Sequence, residues 1–162
     1  MGSMARSKGQ RGEREIVALL QAVVNEVYTA YNRKVISTTE SELVQYRTLE
    51  VPLLQRNTIQ SDRGGYDIVG LDWLAPEVKR CETYQLSTWW QQCRAQAKPH
   101  QTPVLFYRRN NVPWRVRMIG KLPIAQGRAV RVVVDIAIGA FMLYLRERLV
   151  DELKKGVANG IR

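Results

Sequence analysis

Residues 65 to 80 read GYDIVGLDWLAPEVKR: two short apolar runs, a few residues apart, each with charge inside it. Their length and β-rich composition predict strands, YDIVGL and PEVKRCE, joined as a hairpin would be. This stretch constrains the fold most, because strand periodicity decides which charges share a side. Residues two apart in a strand point to one face. Glu77 and Lys79 therefore share a face, and Val78 turns the other way, into the core. Asp67 opens the first run and is expected to come near Glu77 across the hairpin. A cross-strand salt bridge would explain the three charges, and so would a metal site.

The other elements are placed by periodicity and punctuation. Residues 12 to 27 predict a helix, with Ile16, Leu19, Leu20, Val23, Val24 and Val27 repeating at three and four. Residues 33 to 38 suggest a short strand, and 39 to 51 fit either helix or strand. The polar QRNTIQSDRGG reads as a loop. LSTWWQQCRAQAK predicts a helix from Ser87, a plausible N-cap, to Lys98. PVLFYRR and WRVRMI are strands around the turn-rich NNVP, AVRVVVDI is a further strand, and a closing helix ends at Gly156. This order predicts one α/β (α+β) domain over residues 8 to 162, a central mixed β-sheet flanked by helices. Residues 1 to 7 are expected to be an expression leftover and a flexible basic stretch.

Composition narrows the chemistry. The chain has one histidine, His100, in a proline-flanked loop, and two cysteines, Cys81 and Cys93. That excludes a disulfide framework, a zinc cluster and a Ser-His-Asp triad. Reaction chemistry here must run on carboxylates, lysine and water. Lys and Arg number 25 against 15 Asp and Glu, a formal charge of +10. Such a surplus favours a polyanionic partner, with nucleic acid leading. No apolar stretch is long and uncharged enough to span a bilayer, and no signal peptide is expected.

Two adjacent carboxylates repel and raise each other's pKa unless a cation lies between them. Oxygen-only ligands suit Mg²⁺ or Mn²⁺. Asp, a gap and Glu-x-Lys resembles the signature of the PD-(D/E)xK nuclease superfamily, standing here as YD…EVK with Tyr66 in place of the usual proline. KGQRGEREIVALL, residues 8 to 20, resembles the start of archaeal-type Holliday junction resolvases, where Lys-Gly, a spacer and Glu-Arg open the first helix. The loop QSDRGG, the glutamines of WWQQCRAQA and the strand PVLFYRR follow in the family's order. The resemblance spans residues 8 to 110; residues 31 to 60 within that span, and the C-terminal strand and helix, lie outside it.

The resemblance implies a restriction-endonuclease-like core and a metal-dependent, structure-selective endonuclease, chromosomal or phage-encoded, that cuts four-way DNA junctions. By carry-over, Asp67, Glu77 and Glu13 would hold Mg²⁺ or Mn²⁺, and Lys79 would assist a water nucleophile. A homodimer in the cytoplasm, or in the host cytoplasm for a phage protein, is implied too. Glu13 is equally a helix-start acid, with Glu15 its rival on another side of the helix. Lys8, Arg11, Arg56 and Arg63 are candidate phosphate contacts; Gln92 would steady the site, touch phosphate or face solvent. Of Trp89 and Trp90, one is expected to be partly exposed. Phe141, Met142, Leu145 and Leu149 are a candidate dimer face or ordinary core. A nuclease for linear, nicked or flapped DNA, and a non-catalytic DNA-binding protein on the same fold, are the alternatives.

Overall fold

A computed structural model describes residues 2–39, 48–58 and 65–158, with side chains over 8–34, 48–58 and 65–156. The first helix, α1 (Gly2–Thr39), buries Ile16, Leu20, Val23, Val24 and Val27, the face that the periodicity picks out. Leu19 alone of that set stays exposed. The helix starts before Gly12 and runs through 33–38, where the sequence suggested a strand. Extending a formed, packed helix adds a hydrogen bond per residue, and the weak β-preference of Val35 and Ile36 does not outweigh it.

Residues 48–54 run beside α1, with no strand partner among the described residues. Side chains of α1 satisfy their backbone instead. Asn32 donates to Leu49 O at 2.9 Å and accepts from Leu49 N at 3.1 Å. Gln21 donates to Pro52 O at 3.0 Å and accepts from Leu54 N at 2.7 Å. Of the span 39–51, left open between helix and strand, residues 40–47 lie outside the described residues.

Two short strands, β1 (Gln55–Arg56) and β2 (Ile68–Val69), pair antiparallel. The expected hairpin is therefore corrected. The first run pairs with β1, and the second, β3 (Leu74–Arg80), pairs parallel with β4 (Thr102–Arg108). The crossover is α2 (Leu86–Gln96), so β3, α2 and β4 form a βαβ unit. Gly70 turns the chain between β2 and β3 at φ +124°; a Cβ there would lie 2.6 Å from Leu53 O. No other residue fits that turn unstrained.

Strands β5 (Arg115–Pro123) and β6 (Ala129–Ala137) complete a four-stranded mixed sheet of order β3-β4-β5-β6. The closing helix α3 (Ile138–Ala158) passes through Gly156 instead of ending there. Alternation sorts the sheet into two faces. Val78, Val104, Phe106, Val116 and Met118 meet α1 and α3, with Phe106 and Phe141 edge-on at 5.1 Å. Leu105 and Tyr107 meet Trp89, Trp90 and Cys93 of α2.

Both tryptophans are buried, against the expectation of one exposed. Trp89 and Trp90 both pack with Cys93 against Leu105 and Tyr107, so the buried arc of α2 takes in adjacent positions. Its N-terminus has Gln85 at the cap position without a side-chain bond, so Ser87 lies inside the first turn. Phe141, Leu145 and Leu149 are fully buried within this chain, which removes them as a dimer face; Met142 is half-buried against the same core. Among the described residues, no helix is long and apolar enough to cross a membrane.

Candidate active site

The outer edge of the sheet carries the site. On β3, Glu77 and Lys79 point toward α2, opposite Leu105 and Tyr107 in the parallel register. Val78 points to the α1 and α3 core, as strand alternation required. Asp67 approaches without forming a ladder. Its N–H donates to Pro76 O at 2.8 Å, and its Oδ2 accepts from Val78 N at 2.6 Å. Asp67 thereby grips the backbone on both sides of Glu77 and occupies the exposed edge of β3.

Glu77 is 1% exposed. Its Oε1 lies 2.5 Å from Lys79 Nζ and accepts from Gln92 Nε2 at 3.0 Å. Its Oε2 is buried with no hydrogen-bond partner among the described residues. Burial, and then the charge of Asp67, push the Glu77 carboxyl up to about 7 despite the opposing Lys79. Burial alone would lower Lys79, but the contact with Glu77 and the charge of Asp67 outweigh it and hold the ammonium above its ordinary range. Beside them burial, with both acids, pushes the Cys93 thiol up to about 12, so it packs as a neutral apolar group.

The remaining expected residues are distributed differently. Glu13 adds to the negative field at Glu77, but its Oε2 is held by Arg56 Nε at 2.5 Å. Arg56 is thus committed to Glu13 as a pair. Glu15 gathers Arg80 at 3.2 Å, Arg108 at 2.5 Å and Trp114 Nε1 at 3.3 Å, pinning α1 across the ends of β3 and β4. Gly12 permits this approach, since a Cβ there would stand 3.2 Å from Trp114. Arg11 leans loosely on Glu15 at 3.6 Å, and Lys8 pairs with Glu82 at 2.9 Å on the surface. Arg63 lies outside the described residues. Gln92 reaches Glu77; Gln96, one turn on, does not. Asp72 is exposed in the turn, and its carbonyl accepts from Gln101.

Sequence reasoning passed over one cluster on the same sheet face. Tyr107, the neighbour of Lys79 in register, donates to Asp135 Oδ1 at 2.8 Å. Arg117 holds both Asp135 oxygens, at 2.9 and 2.6 Å. Arg117 and Asp135 sit opposite in the β5–β6 register. The alternation of RVR and VDI was the available signal, but only with the strand pairing known.

Asp67 and Glu77 are hard oxygen donors, and the unpartnered Glu77 Oε2 suits a small divalent cation. Among the described residues, no group of three or more His, Cys, Asp or Glu is placed to hold a metal. The pair fits such an ion; Glu13, the expected third ligand, is turned onto Arg56. Comparison of the chain with protein-family models, with curated proteins and with solved structures gives no match.

Proposed function

We propose that this chain is a metal-dependent DNA endonuclease of the PD-(D/E)xK kind, acting on branched DNA such as a four-way junction. The observation that carries the reading is the buried Asp67–Glu77 pair with Lys79 on the same sheet edge, in a chain of charge +10. A carboxyl pushed to about 7 by burial and a second acid is a functional-site signature. Asp67 and Glu77 would hold Mg²⁺ or Mn²⁺. Such an ion supplies a water of lowered pKa and stabilises charge on the phosphate.

The chain's own residues have separate tasks. Val78 N–H fixes the Asp67 carboxylate against the β3 backbone. Gln92 fixes the Glu77 rotamer. Lys79, aligned by Glu77, is the cation that orients a nucleophile or offsets phosphate charge. The basic surplus attracts the backbone of any DNA, so branch preference would come from shape. Symmetric cutting of a junction needs two sites, hence a second copy of the chain.

A second reading is a DNA-binding protein without catalysis. It is favoured by the closed Glu13–Arg56 pair and by the internal partners of Asp67 and Glu77. One assay separates the readings: cleavage of a four-way junction and of a linear duplex of the same sequence, with Mg²⁺, by wild type and Asp67→Asn. Cleavage of the junction by wild type alone is expected. Equal rates on both DNAs would sink the junction preference. No metal-dependent cleavage that Asp67→Asn removes would leave only salt-sensitive binding and the second reading.

A further inference from the structure

The two edges of the sheet differ. Asp67 covers the edge at β3 with two backbone bonds. Strand β6 forms the other edge, and among the described residues it pairs with β5 alone. It is nine residues long, regular and mostly apolar. Exposed strands of this kind invite another strand unless they are short, bulged or heavily charged. Of the exposed large apolar residues described, Leu122, Ile124, Val130 and Val133 all belong to the β5–β6 hairpin; Val133 is 51% exposed.

The order of residues in β6 identifies the partner. The strand reads AVRVVVDIA, and its chemistry is symmetric about Val133. In an antiparallel pair of two copies centred there, Val133 meets Val133, Val132 meets Val134, and Val130 meets Ile136. The charged positions also match, because Arg131 falls opposite Asp135 on both sides of the axis. An isologous two-fold contact demands such self-complementarity. Direct cross-strand pairs of opposite charge or of β-branched residues are the units that stabilise sheets. Asp135 has room for the contact. Arg117 and Tyr107 supply three hydrogen bonds, and a carboxylate accepts about four.

We propose that β6 is a self-docking edge: two copies of this chain join β6 to β6, antiparallel about Val133, into one continuous eight-stranded sheet. This does not rest on the nuclease reading. It leaves Glu77 and Lys79 on the far edges, clear of the contact.

The test is the mass of the full chain in solution, by light scattering after size exclusion. Wild type is expected at twice the 18.6 kDa chain mass. Val133→Lys sets two lysines face to face on the axis and is expected to give a monomer of unchanged circular dichroism. Arg131→Glu, on an exposed side chain, should weaken the dimer about tenfold by opposing two acids at both charged pairs. Val133→Cys in a Cys81→Ser background should crosslink with a short bis-maleimide, and Leu143→Cys in that background should not. A monomeric wild type would overturn the proposal. So would a dimer of undiminished affinity in both Val133→Lys and Arg131→Glu, or a Val133→Cys dimer that fails to crosslink.

Discussion

Replacing Glu77 by glutamine tests the buried acid without assuming any reaction. Glutamine keeps the shape and the acceptor facing Gln92 and Lys79, and removes the titration. The carboxyl moves from 4.5 in an ordinary glutamate to about 7 in the folded chain. Between those values the folded state binds more protons than the unfolded state. The contribution is therefore most favourable below pH 4.5, declines as pH rises, and is level above 7. At about 1.36 kcal/mol per pKa unit, the whole window is worth roughly 3 kcal/mol. Lys79 stays charged across that range, since its own shift is upward.

Urea unfolding of wild type and Glu77→Gln in EDTA, at pH 5 and pH 8, singles out this site, because titrations remote from Glu77 are common to both proteins. Wild type is expected to lose roughly 2–3 kcal/mol relative to the variant on going from pH 5 to pH 8. Parallel pH slopes, within about 0.5 kcal/mol, would refute the reasoning and mean that Glu77 is ionised by Lys79 at all these pH values. Mg²⁺ at pH 8 is expected to raise the stability of wild type and not of the variant, since a ligand that prefers the carboxylate offsets its burial.

Other outcomes follow from single residues. Phe141→Ala empties a fully buried site against Phe106 and should lower stability by about 3–5 kcal/mol in urea unfolding. Gly70→Ala sets a Cβ against Leu53 O at a positive φ and should cost about 1–3 kcal/mol by the same measurement. Asp67→Asn keeps an oxygen for Val78 N–H, so it should fold, retain DNA binding and lose cleavage in a gel assay. Asp72→Asn, in the exposed turn, should change stability by less than about 0.5 kcal/mol and leave cleavage intact.

Much of the site was readable one strand at a time. The two-residue alternation placed Glu77 with Lys79 and opposed Val78 to them, and the structure keeps that arrangement. The i, i+4 glutamines on a predicted helix gave Gln92, which reaches Glu77. Pairing was not readable. Sequence proximity suggested a hairpin for residues 66 to 82, yet β3 pairs parallel with β4, about 28 residues on, because both faces of β3 become buried only where helices cover the two sides of the sheet. Glu13 shows a similar limit: its helix position was legible, but its partner Arg56 is 43 residues away.

The sequence by itself determined the mixed α and β elements, the apolar face of the first helix, the shared side of Glu77 and Lys79, and the basic surplus. Those properties depend on local periodicity and composition, which need no knowledge of distant contacts. Only the tertiary structure decided that Asp67 grips the backbone around Glu77, that burial makes Glu77 a near-neutral acid, that Glu15 and not Glu13 ties α1 to the sheet, and that β6 is left as an edge. Each of these depends on which segments pack together, since desolvation and close charge arise only where distant parts of the chain meet.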